Sequence, residues 1–215
     1  MSALWGIGQY SGADRERVAW EVGGDEINRA IGAAPAALAA IGVERGERVL
    51  FTSMLSEAAH FWPLIVGTML AGAQLSCADA TAGEAVRVRM FSELIDYRCA
   101  LGVTTEILDG LDELGTGYAD VFGPIPVVAA RPGAYERLEA RGMAPQLFAL
   151  VGPAVAIATE PGGPAWVDAD EWELGLDEEW VTVTNRRDRA TRFDRTRTSV
   201  RAEVIDGHGI LPARS

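Results

Sequence analysis

Few residues in this chain can carry chemistry. It has two histidines, two cysteines and no lysine, so all 19 basic residues are arginine. A mechanism that needs a lysine amine is excluded for these residues. His60 lies in an apolar run beside Phe61 and Trp62, three residues after Glu57, whose carboxylate either polarises the ring or stands solvated on the helix face. One reading makes it a general base. The other makes it a core or pocket-edge residue that touches a ligand without moving a proton. His208, between Gly207 and Gly209, reads as a solvated tail residue. Cys77 and Cys99 lack the spacing of a metal-binding pair and read as free, buried and inert, with no metal expected. The 186–201 stretch holds seven arginines in an otherwise acidic chain. These either pair with the many carboxylates or, through Arg195 and Arg197, seat an anionic ligand, since guanidinium forks bind carboxylate and phosphate bidentately. Trp166, Trp172 and Trp180 fit hairpin packing or a partner surface.

The elements that must position these residues follow from periodicity. Ile27, Ile31, Ala34, Leu38 and Ile41 recur at steps of three and four, which predicts a helix with one apolar face. Gly42 ends it as a left-handed cap, and Pro35 predicts a kink or a division into two helices. A strand apolar on both faces follows at 49–52 and belongs inside a covered sheet. Helices over 56–70 and 84–97 alternate with strands at 74–77 and 100–103. A polar loop follows over 112–123, then a strand at 125–129 and a helix over 135–141. This alternation predicts an α/β fold, a parallel or mixed sheet with crossover helices. Beyond Pro145, short strands separated by Gly, Pro and Asp turns, with no helix between them, predict a smaller, mostly antiparallel β region. The division is an irregular segment over 1–24, an α/β subdomain over 25–144, a β-rich subdomain over 145–205 and a tail over 206–215.

Composition narrows the partners. With 48% hydrophobic residues among 215 and a net charge of −12, the chain can fill a core but suits neither nucleic acid nor an anionic membrane. No apolar run approaches the roughly 20 residues of a membrane span, and no signal-peptide pattern is seen at the N-terminus. A cytoplasmic location is expected.

Several segments in order resemble the adenylate-forming (AMP-dependent acyl-CoA synthetase) superfamily, and within it the phenylacetate–CoA ligase branch. Residues 39–49, with Gly42-Val43-Glu44-Arg45-Gly46-Glu47, are similar to the branch's "aaGv-pGD-V" segment. Ala71-Gly72-Ala73 sits where the family has "lGa", and Gly152-Pro153-Ala154-Val155-Ala156 resembles "GPGVA". Thr182-Val183-Thr184 with Arg195-Thr196-Arg197-Thr198 resembles "lvvT-l" and "iRyRTGD". The resemblance implies the large N-terminal domain of such ligases without the C-terminal lid, whose catalytic lysine this chain does not offer. It also implies degenerate nucleotide motifs. Ser11, Gly12, Asp14 and Glu16 stand where a phosphate loop is expected, and their carboxylates would repel phosphate. Ala149 replaces the magnesium-binding glutamate and Val200 the ribose-binding aspartate. Without these groups the adenylation transition state lacks electrostatic support.

The resulting expectation is a ligase-like protein that has lost ATP-dependent adenylation, needs no cofactor, and binds an acyl or aryl carboxylate-type ligand or a partner chain. His60, Trp62, Phe148, Gly152, Arg195 and Arg197 are its candidate ligand-binding residues. Two alternatives stay open: a reduced but active ligase using ATP, Mg and CoA through a non-standard site or a lid from another chain, and a structural subunit of a full-length ligase. A homodimer is expected to cover apolar surface left open by the missing lid.

Overall fold

The structure, a computed structural model, describes residues 3–212. It opens with a hairpin rather than an irregular segment: β1 (Leu4–Ser11) pairs antiparallel with β2 (Arg17–Gly23). Buried Tyr10, Trp20 and Val22 recur at even spacing on the two strands, so one face packs inward. α1 (Gly24–Ala40) follows as one helix, continuous through Pro35, so the division into two helices is not found. It ends as expected. Gly42 has φ of +80°, the Gly42 N–H reaches the Ala39 carbonyl, and the Val43 N–H reaches that of Leu38.

β3 (Arg48–Thr52), α2 (Ala58–Leu70), β4 (Gln74–Ala78), α3 (Ala85–Leu94), β5 (Cys99–Val103) and α4 (Thr105–Glu113) continue the alternation. Thr104 caps α4, its hydroxyl accepting from the Ile107 N–H at 3.4 Å. The expected polar loop over 112–123 instead contains α5 (Tyr118–Phe122), which packs beside α3 and buries Tyr118, Val121 and Phe122 in the core. Next come β6 (Val127–Ala130), α6 (Ala134–Glu139) and β7 (Gln146–Val151). β4, β3, β5, β6 and β7 lie side by side in that order, all parallel. Strand periodicity divides the core between two faces: Val49, Phe51 and Leu101 pack with α1 and α2, while Leu50, Ala100 and Val103 pack with α3 to α6.

β8 (Ala154–Ala158) turns back antiparallel on β7. β9 (Ala165–Trp166), β10 (Trp172–Asp177), β11 (Trp180–Asn185), β12 (Thr196–Ile205) and β13 (Gly209–Pro212) are also antiparallel to their neighbours. The antiparallel region continues the first sheet through β7, giving one sheet of 11 strands in the order β10-β11-β12-β13-β9-β8-β7-β6-β5-β3-β4. The fold is therefore the α/β class with a mixed sheet and a mostly antiparallel β region that the alternation predicts. The tail expectation is corrected: Gly209–Pro212 fills the gap between β12 and β9, and the His208 ring lies 4.9 Å from that of Trp166. Residues 213–215 of that tail lie outside the described residues.

Candidate functional site

On the face covered by α1 and α2, the sheet extends further than the helices do. Val155 and Ile157 of β8 point to that side. Opposite them α1 presents Ala30, Ala33, Ala37 and Ala40, a stripe of side chains too short to reach the strand. The gap is a cavity of about 510 Å³, closed toward α2 by Ala59, His60, Pro63 and Leu64. Trp20, Trp166 and Trp172 give it aromatic walls. A mostly apolar concavity of this size with a few polar groups suits a small molecule.

His60 is 2% exposed at the cavity edge. Its Nε2 lies 2.8 Å from the Gly152 carbonyl oxygen in the β7–β8 turn. A carbonyl only accepts, so Nε2 carries the proton. The Trp20 ring sits edge-on, 5.1 Å away. Burial pushes the imidazole down to about 4, against the opposing effects of the Gly152 bond and the Glu57 carboxylate. His60 is thus neutral near pH 7, and its Nδ1 is buried without a hydrogen-bond partner. A base with this affinity for protons is a poor one at neutral pH.

The other end of the cavity is charged. Glu26 on α1, Glu171 just before β10, and Arg189 form a buried network, with Arg189 3.2 Å from Glu26 and 2.5 Å from Glu171. Arg29 joins Glu171 at 2.6 Å, and Glu26 also accepts from the Gly23 and Ala190 N–H groups. The Arg189 guanidinium lies 3.9 Å from the Trp172 ring centroid. Burial lowers the Arg189 pKa while the two glutamates oppose it. This network ties the arginine-rich loop to the first turn of α1.

A second constellation lies at the carboxyl ends of β3 and β6, beside the point where the parallel strand order reverses. Such crevices are where open α/β sheets bind ligands. Here Arg131 grips Glu57 through two bonds of 2.5 and 2.6 Å and stacks on Phe61. Burial pushes the Glu57 carboxyl up, but the Arg131 hydrogen bonds and charge outweigh it and hold it below the usual range.

Of the residues expected to bind ligand, His60 lines the cavity and Gly152 holds it in place. The other four do not line it. Trp62 is 43% exposed on the outer side of α2, because the inner side is taken by Phe61 and Leu64. Phe148 is fully buried against Phe61, 5.4 Å between rings. Arg195 sits in a turn with φ of +49° and donates its N–H to the Thr184 hydroxyl. Arg197 is bound to Asp177 and Glu178, each at 3.1 Å. The arginine stretch follows its ion-pairing reading at 186, 189, 192, 197 and 201. Cys77 is exposed, not buried, while Cys99 is buried and its thiol is pushed up to about 12. Among the described residues, no group of three or more His, Cys, Asp or Glu could hold a metal ion.

Ser11 to Arg17 is the tip of the β1–β2 hairpin. The Gly12 N–H bonds to the Glu16 carbonyl and the Arg15 N–H to that of Gly12, so these donors are already used within the turn. Ala149 is fully buried on β7, and Val200 lies on β12, partly buried. The alanine stripe and the Glu26–Arg189–Glu171 network went unread in the sequence. The stripe was nonetheless visible as small residues at steps of three and four, one position off the apolar face.

No protein-family model matches the chain, and no curated protein does. Solved structures do. A 2-hydroxyisobutyryl-CoA ligase in complex with 2-HIB-AMP and CoA superposes with a TM-score of 0.68 at 13% identity, covering 97% of this chain and 56% of that one. The o-succinylbenzoate CoA synthetase of Bacillus subtilis gives 0.62 at 13% identity, over 100% and 50%. The E. coli MenE protein with bound OSB-AMS gives 0.57 at 13%, over 97% and 47%. This chain spans about half the length of these solved chains. Its fold is that of the N-terminal domain of adenylate-forming acyl-CoA ligases.

Proposed function

We propose that this chain binds a small ligand with an acyl or aryl body in the cavity between α1, α2 and β8, and that it does not adenylate that ligand with ATP. The observation that carries the reading is the apolar gap of about 510 Å³ formed where the alanine stripe of α1 faces Val155 and Ile157. Loss of adenylation is supported by three features of the residues present. The hairpin tip at Ser11 to Arg17 has Gly12 and Arg15 N–H groups bonded within the turn and carries Asp14 and Glu16. Ala149 at the expected magnesium-ligand position is a core residue with no side-chain oxygen to offer. Val200 stands at the expected ribose-ligand position.

The test has two arms. Benzyl alcohol, a neutral aryl probe, is titrated against the chain and its Ala37→Leu variant by NMR. Leucine at 37 projects into the cavity from a half-buried position on α1, so the expected result is saturable binding to the parent and weakened binding to the variant. Equal binding to both would remove the cavity from the argument. In the second arm, pyrophosphate release is measured with ATP, Mg and a panel of alkyl and aryl carboxylates. None is expected, and carboxylate-dependent release would establish a working ligase with a nucleotide site unlike the family's.

A further inference from the structure

The polar groups of the cavity have a sign and a hydrogen-bond direction, and both restrict the ligand. Four carboxylates line it, Glu26, Asp168, Asp170 and Glu171, against the single guanidinium of Arg189. Glu26 and Glu171 hold that guanidinium through its two terminal nitrogens and balance its charge, leaving only the buried Nε without a partner. Asp168 and Asp170 are exposed and stand outside the network. Their one shared contact is the Asp170 N–H donated to the Asp168 side chain at 3.0 Å. The same end already stabilises a cation, because Arg189 stacks on Trp172 between two carboxylates. At the other end His60, 2% exposed, has its Nε2 proton fixed on Gly152. Its Nδ1 is buried and unpartnered, and on a neutral ring that atom only accepts.

We infer that the cavity takes a ligand with an apolar body and a cationic, proton-donating head, an alkyl or aryl amine, and discriminates against the carboxylate of the same skeleton. An anionic head would meet four carboxylates and an acceptor nitrogen, against one unpartnered donor, the buried Arg189 Nε, on a guanidinium whose charge Glu26 and Glu171 already neutralise. An ammonium head meets the carboxylates of Asp168 and Asp170, which stand outside the network, at one end and the His60 Nδ1 acceptor at the other. The net charge of −12 adds long-range attraction of the same sign. This selectivity rests on the proposed binding cavity and reverses the carboxylate-type ligand expected from the sequence.

The test compares benzylamine, benzyl alcohol and benzoate, three probes sharing one ring, by calorimetric titration at low and at physiological salt. Benzylamine is expected to bind at least about tenfold tighter than benzoate, with the margin shrinking as salt screens the exposed aspartates. The double variant Asp168→Asn, Asp170→Asn should narrow the margin, and Ala37→Leu should weaken benzylamine binding. Benzoate binding as tightly as benzylamine overturns the selectivity while leaving the cavity reading intact. Failure of all three probes overturns both. Benzylamine binding that is untouched by Ala37→Leu places the amine elsewhere and also overturns the inference.

Discussion

Replacing His60 with glutamine should flatten part of the chain's acid sensitivity, and the size of that change follows from burial. In the folded chain His60 binds a proton only near pH 4, whereas an unfolded histidine does so at its ordinary value of 6.5. Above 6.5 the residue is neutral in both states and contributes no pH dependence. Between 6.5 and about 4 the unfolded chain takes up a proton that the folded chain refuses, so stability falls as pH falls. Below about 4 both states are protonated and the slope vanishes. The interval, at about 1.4 kcal/mol for each tenfold in proton affinity, is worth about 3 kcal/mol. His60→Gln can keep the donor to the Gly152 carbonyl but has no proton to gain. Glu57 also titrates: its folded value is depressed, so its contribution is present above the ordinary carboxylate range and lost as pH falls through the folded value. Both chains share that loss, and the difference between them isolates the histidine. Urea unfolding followed by tryptophan fluorescence at several values from pH 7.5 to 4 provides the comparison. The parent should lose about 3 kcal/mol more than the variant over this range, with the denaturant slope unchanged. Parallel curves for the two proteins would mean that His60 titrates normally, and the account of its burial would be wrong.

Other consequences are independent of that one. Arg189→Ala should destabilise the fold by about 3 kcal/mol in urea unfolding, because it leaves Glu26, at 4% side-chain exposure, without a cation and Glu171, at 9%, with Arg29 alone; Arg201→Ala, in an exposed pair with Glu179, should cost less than about 1 kcal/mol. Gly67→Ala would place a Cβ 2.4 Å from that of Ala34, where α1 and α2 cross, and should cost roughly 1–3 kcal/mol as measured by thermal unfolding. A thiol reagent should modify exposed Cys77 in the folded chain and reach Cys99 only on unfolding, counted by mass spectrometry. Light scattering should report a homodimer, since Ile7 on β1 and Leu55 beside α2 are 60% and 88% exposed on elements that pack together; a monodisperse monomer would oppose this.

The core was legible where one periodicity governed a segment. Leu38 and Ile41 on a helical face, Gly42 as a cap, and Val49 to Thr52 buried on both sides left little choice of structure, and the helix–strand alternation then implied the parallel sheet. It failed where partners distant in sequence decide the outcome. β13 is a strand because β9 and β12 leave a slot for it, and α5 is a helix because the core beside α3 offers Phe122 a place to bury. The site failed for the same reason. Arg189 was visible as one arginine among seven, yet what distinguishes it is Glu26, 163 residues earlier, and Glu171, neither marked by any local pattern. Arg195 and Arg197, chosen because a family motif drew attention to them, bond within the β11–β12 region and leave the cavity to others. The alanine stripe shows the converse error. Small residues at helical spacing carry a propensity signal for helix and none for burial, so a row of them reads as filler. Set opposite Val155 and Ile157 of β8, the same row lines an empty volume, and that volume is the feature on which the proposed ligand binding rests.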